Sequence, residues 1–206
     1  MRAHLLSLSA SLASLFGCAQ NPKHVYLQSI PDTEYDRNIL YYADQAPAGT
    51  TLDAVLDASD ADLEAFSAAL PADKLAYRYA RGKWTVAQVL QHVITYEHIM
   101  RESLLDIATR QWGRGPAAES VAEPEYAVYS QASTATGAEA KSKEELLADF
   151  RDARAATRAA LATLTPEQRR RVGRHEGFRT SPRVLVACIM GHQAHHFRVL
   201  RSRYGL

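Results

Sequence analysis

Four separate stretches of this sequence carry apolar residues at helical spacing, no stretch reads convincingly as a strand, and helix-capping residues stand where the stretches begin. Together these predict an all-α fold, a four-helix bundle with a long loop between its second and third helices. The chain has 206 residues, 47% hydrophobic and 23% charged. That suits one domain that buries a sizeable core without disulfides, here residues 26–206.

The chain in order justifies each element. Residues 1–25 stand apart, because MRAHLLSLSASLASLFGCAQ joins an early Arg2 to an apolar, serine-rich run and ends in Leu15-Phe16-Gly17-Cys18. It reads as a lipoprotein signal ending in a lipobox, or as an upstream extension from a mis-called start codon. Asn21 to Gly49 holds tyrosines and prolines without a period and predicts an irregular lead-in with a helical turn around Asp36 to Tyr42. Leu52, Val55, Leu56, Leu63, Phe66 and Leu70 then share one helical face, with Thr51 as cap and Pro71 as stop. Gly82 suits a turn, Trp84 can anchor the next helix against the core, and Thr85 caps that second helix, which runs to about Gln111. Its stripe is Val86, Val89, Leu90, Val93, Met100, Leu104 and Ile107, with Glu97 in mid-stripe and His92 and Tyr96 along one edge.

Trp112 to Lys141 is rich in small and turn-forming residues and predicts a functional loop or lid. Ser142 with Glu145 makes a capping box for a third helix carrying Leu146, Phe150, Ala153, Thr157, Leu161 and Leu164. Thr165-Pro166-Glu167 restarts a short turn, and Gly173 to Thr180 is a connector. Ser181 is the expected cap of the last helix, Pro182 to Arg203, with Pro182 in its first turn, where a missing amide hydrogen costs nothing.

Composition excludes several classes. Formal net charge is +1 with basic and acidic residues interspersed, so no nucleic-acid footprint stands out. Two cysteines, Cys18 and Cys188, lie in unrelated segments and exclude a disulfide framework. After residue 20 there is no apolar run of the length a membrane-spanning helix needs.

The last helix carries the chemistry. His192 and His196 stand at i, i+4 within the stripe of Leu185, Val186, Ile189 and Leu200. Two imidazoles so spaced lie about 6 Å apart and can bind one metal ion, although core histidines satisfied by hydrogen bonds have the same pattern. His92, on another helix with its flank toward the interior, supplies a third ligand, because metal sites in bundles are built from facing helices. Three imidazoles leave coordination positions open, as a catalytic metal requires, and favour Zn, Ni or Fe(II) over Mg or Ca. His195 falls to the side, as an edge residue or a supporting one. Glu97 is either a general acid/base or the partner of a core-lining arginine such as Arg198 or Arg101. Tyr96, one turn from His92, either donates to a ligand or substrate or simply packs. Cys188 reads as a small core residue, His98 as solvent-facing, and His175 has no assigned role.

Ala76-Tyr77-Arg78-Tyr79-Ala80-Arg81-Gly82-Lys83-Trp84-Thr85, then Val89-Leu90-Gln91-His92-Val93, then Gly191-His192-Gln193-Ala194-His195-His196-Phe197-Arg198-Val199-Leu200-Arg201-Ser202-Arg203-Tyr204 together resemble the DinB/YfiT-like superfamily. The resemblance spans roughly residues 30–206. It implies a four-helix bundle with a three-histidine divalent metal centre, the ligand roles falling on His92, His192 and His196. Family members include thiol-dependent S-transferases that use low-molecular-weight thiols, a maleylpyruvate isomerase and metal-dependent hydrolases. Despite the family's name, no DNA polymerase or DNA-binding activity is implied. The expectation is therefore a divalent-metal enzyme acting on a small-molecule substrate, a thiol-dependent S-transferase with Glu97 or Tyr96 assisting proton transfer. A metal-dependent hydrolase and a non-catalytic binding bundle are the alternatives. An exposed helix face can support a homodimer, and location divides between cytoplasmic and a cell-envelope lipoprotein anchored at Cys18. The lipobox-like leader and the middle loop depart from the family pattern, and the substrate does not transfer.

Overall fold

A computed structural model describes residues 25–110 and 131–206. The expected leader, Cys18 within it, and most of the Trp112–Lys141 loop lie outside the described residues. The described residues are mostly helical. The lead-in forms two single turns, α1 (Val25–Gln28) and α2 (Leu40–Ala43), and α3 is Leu52–Ala69. The other helices are α4 (Val86–Thr109), the turn α5 (Gln131–Thr134), α6 (Lys143–Ala162), the turn α7 (Pro166–Arg169) and α8 (Pro182–Tyr204).

Local chemistry sets these boundaries. The Thr51 hydroxyl accepts from Ala54 N at the start of α3, and Thr85 with Gln88 and Ser142 with Glu145 make complete capping boxes on α4 and α6. Each box satisfies two amides that would otherwise lack partners. The last helix differs from expectation. Ser181 occupies the cap position but makes no capping bond, because its hydroxyl donates to Glu34 at 3.0 Å. Glu34 is buried and also accepts from the Arg183 Nε at 2.7 Å, so the lead-in is pinned to the start of α8 by a charged cluster.

The expected connector after α7 is instead a hairpin. Strands β1 (Gly173–His175) and β2 (Phe178–Thr180) pair antiparallel in the register Gly173↔Thr180 and His175↔Phe178. Glu176 and Gly177 turn the chain with φ of 49° and 80°. Two positive φ values in a two-residue loop match the twist of paired strands. The hairpin buries His175, whose Nδ1 lies 2.7 Å from Ser103 Oγ on α4.

Helix α4 packs against both α6 and α8, and α8 also receives α2 and α3. One core cluster joins the lead-in to the first half of α8 and the second half of α4; the other gathers Leu63, Phe66, Leu90, Phe150, Phe197 and Leu200. In the second, the Phe66 and Phe197 rings stack with centroids 4.2 Å apart. Burying side chains of this size contributes about 1.5–3 kcal/mol each. Among the described residues no helix is long and apolar enough to cross a membrane.

Candidate metal centre

Helices α4 and α8 bring the three expected histidines together. The Nε2 atoms of His92 and His192 are 3.0 Å apart, those of His196 and His192 3.1 Å, and the ligand atoms of all three lie within 4.8 Å of one another. Three imidazole nitrogens about 2.0–2.1 Å from one tetrahedral ion would be separated by about 3.3 Å, close to the two spacings to His192. Burial pushes His92 down to about 4 and His196 down to about 3, and holds His192 well below the usual histidine range; neighbouring histidines add to the effect. All three are therefore neutral at pH 7, and each neutral ring has one nitrogen lone pair to offer a cation. The donor set fits a borderline divalent ion such as Zn, Ni or Fe(II).

Each ring is held in a different way. The Nδ1 of His92 lies 2.6 Å from the Thr134 hydroxyl on α5, which in turn is tied back to α4 through Thr95 Oγ1 donating to Thr134 O. The ring of His192 has Tyr96 stacked on it at 3.7 Å and the edge of Tyr42 against it at 4.7 Å, whereas its buried Nδ1 has no hydrogen-bond partner among the described residues. His92 is thus oriented by a hydrogen bond and His192 by two aromatic rings.

His92 and His196 open onto a cleft of about 360 Å³ whose other walls include Tyr42, Tyr79, Lys83, Trp84, His195 and Tyr204. No carboxylate is among its described lining residues. His195 has a defined proton inventory. The Gln45 amide donates through Nε2 to Tyr41 O, so its Oε1 is the acceptor facing His195 Nδ1 at 3.0 Å and Arg198 Nη2 at 2.6 Å. An amide oxygen only accepts, so neutral His195 carries its proton on Nδ1 and keeps the Nε2 lone pair.

The other expected residues are placed more variously. Tyr96 lies against the centre through its ring, and burial, chiefly, raises its phenol well above the usual range, so it stays protonated. Glu97 is 1% exposed, but its partner is neither Arg198, which is exposed on α8, nor Arg101, which bonds His98 at 2.9 Å. Arg154 on α6 holds both its oxygens, through Nε at 2.9 Å and Nη2 at 3.2 Å. His98 is half-buried rather than solvent-facing. Cys188 is buried and its thiol points to Ile39 O, outside the histidine cluster. Sequence reasoning missed Thr134, Tyr42, Arg154 and Gln193. Of these only Arg154 left a signal, a charge in the middle of the α6 apolar stripe.

Neither the curated proteins nor the solved structures searched contain a match to the chain. A family model described as the DinB superfamily matches residues 55–200, a span that runs from α3 through Leu200 of α8 and takes in all three histidines. That match covers more than half of the chain, and with it the chain belongs to the DinB superfamily.

Proposed function

We propose that this protein is a four-helix-bundle metalloenzyme that transfers a low-molecular-weight thiol to an electrophilic small molecule at a centre held by His92, His192 and His196. The observation that carries the reading is the convergence of three neutral imidazoles, two of which, His92 and His196, line an open cleft. A divalent ion there would supply the Lewis acidity that makes a thiol or water nucleophilic at neutral pH.

The chain's own residues divide the remaining work. His195 accepts the nucleophile's proton at Nε2 while Gln45 keeps its Nδ1 proton in place. Tyr79, Trp84 and Tyr204 give the substrate's apolar body a surface, and Lys83 meets an anionic group at the rim. Tyr96 fixes the plane of His192 and offers a protonated phenol. Glu97, with both oxygens committed to Arg154, acts in positioning rather than in proton transfer. Thiol transfer is placed before hydrolysis on the chemistry of the two nucleophiles. A thiol with an ordinary pKa near 8.5 needs far less activation than water near 15.7.

The test incubates the full chain, loaded in turn with Zn, Ni and Fe(II), with cysteine or glutathione and chlorodinitrobenzene, and with p-nitrophenyl acetate alone. Thioether formation that stops with chelator and in His192→Ala supports the proposal. Ester hydrolysis without thioether formation moves the reading to a hydrolase, and a loaded protein inert in both assays overturns the enzyme reading.

A further inference from the structure

One buried side chain joins all four long helices. Arg154, 3% exposed on α6, donates to Asp60 on α3, to both oxygens of Glu97 on α4, and through Nη2 to Gln193 Oε1 on α8 at 2.7 Å. Gln193 is held at both ends of its amide, since its Oε1 also accepts from Ser59 Oγ at 2.9 Å and its Nε2 donates to Ser59 O at 2.9 Å. Such a network is a poor source of stability, because desolvating the charges offsets most of their attraction. What such a network can supply instead is register.

Its two endpoints lie on the helices that carry the metal ligands. Gln193 is next to His192 on α8, and Glu97 stands five residues, about 7.5 Å, along α4 from His92. A slip of one residue between α4 and α8 moves a ligand by about 1.5 Å, whereas metal–ligand distances tolerate about 0.2 Å. Arginine suits the task because its planar fork grips a carboxylate with two donors and still reaches an amide and a second acid.

We propose that Arg154, acting through Glu97 and Gln193, is a positioning residue that sets the register of α4 against α8 and so preforms the three-histidine centre; this rests on the metal-centre reading above. The probe is Co(II) alone, titrated into the full chain and followed by its visible d–d absorption. The first variant is Arg154→Met with Glu97→Leu, which removes the buried pair together and leaves Asp60 its bond from Arg158 at 2.8 Å. The second is Gln193→Met, which cuts the α8 arm and leaves the Arg154–Glu97 pair in place. Arg151→Ala, on the exposed pair with Glu64, is the control.

The expected result is that both variants keep the helical circular dichroism of the wild type, bind Co(II) at least tenfold more weakly, and show a shifted or weakened band, while the control is unchanged. Wild-type affinity and an unchanged band in either variant overturn the clamp alone. No Co(II) uptake by the wild type overturns the metal centre and the clamp with it.

Discussion

Gly191 sits in the middle of α8 against the backbone of the lead-in, and Gly191→Ala tests how that seat is built. A Cβ there would lie 1.7 Å from Tyr42 O, 2.6 Å from Tyr42 C and 3.0 Å from Ala46 N. Ordinary contacts begin near 3.4 Å, so the turn that carries Tyr42 must retreat by well over 1 Å. Alanine is intrinsically better than glycine inside a helix by about 1 kcal/mol. Overpacking costs about 1–3 kcal/mol, and an obstacle made of backbone, which no rotamer change relieves, puts this site at or above the upper end. The expected net loss is about 2 kcal/mol, read as a lower urea midpoint at unchanged m-value, or as a thermal midpoint lower by about 4–8 °C. Because Tyr42 also packs its ring edge against His192, Co(II) binding weakens in parallel. A variant as stable as the wild type, or more stable by alanine's helix preference, would refute the close seating of α2 on α8.

The other predictions concern single groups. Thr134→Val removes the hydroxyl 2.6 Å from His92 Nδ1 while keeping its shape, and is expected to weaken Zn or Co(II) binding about 10–100-fold by competition titration; an unchanged affinity would show that the contact does not orient His92. In the metal-free chain His92 and His196 have folded pKa values of about 4 and about 3 against an unfolded value near 6.5, so the unfolded state binds more protons between these limits. Their contribution is whole above about pH 6.5 and is lost as pH falls toward the folded values. The melting temperature in EDTA should drop from pH 7 to pH 5, more steeply than in His92→Gln, and a flat or rising profile would contradict the burial of these rings as neutral groups. Burial pushes the Cys188 thiol up to about 12, so its peptide should resist iodoacetamide at pH 8 until denaturant is added. Labelling in the native state would place Cys188 on an accessible path.

The helices were legible because each has a local cause. Thr85 with Gln88 and Ser142 with Glu145 write helix starts into adjacent residues, and the i, i+4 pair His192 and His196 needs only one helix to become a face. The hairpin was not, because three-residue strands are too short for alternation to register; the turn signal lay in Glu176-Gly177 alone. Arg154 and Glu97 each look like an isolated fault in an apolar stripe, and they make sense only as a pair across α4 and α6, which a linear pattern does not encode. For the same reason the core-lining arginines Arg198 and Arg101 were the wrong partners for Glu97, which Arg154 holds. Tyr42 and Thr134 reach the histidines from single helical turns, where the order comes from docking rather than from periodicity. His195 is oriented by Gln45, 150 residues away in the chain.

Zinc K-edge absorption spectroscopy on the Zn-loaded full chain addresses the metal centre most directly. The predicted result is one ion per chain with three imidazole nitrogens at about 2.0–2.1 Å, and loss of that shell in His92→Ala, His192→Ala and His196→Ala. A chain that takes up no zinc, or a spectrum with three imidazoles that survives all three substitutions, would contradict it.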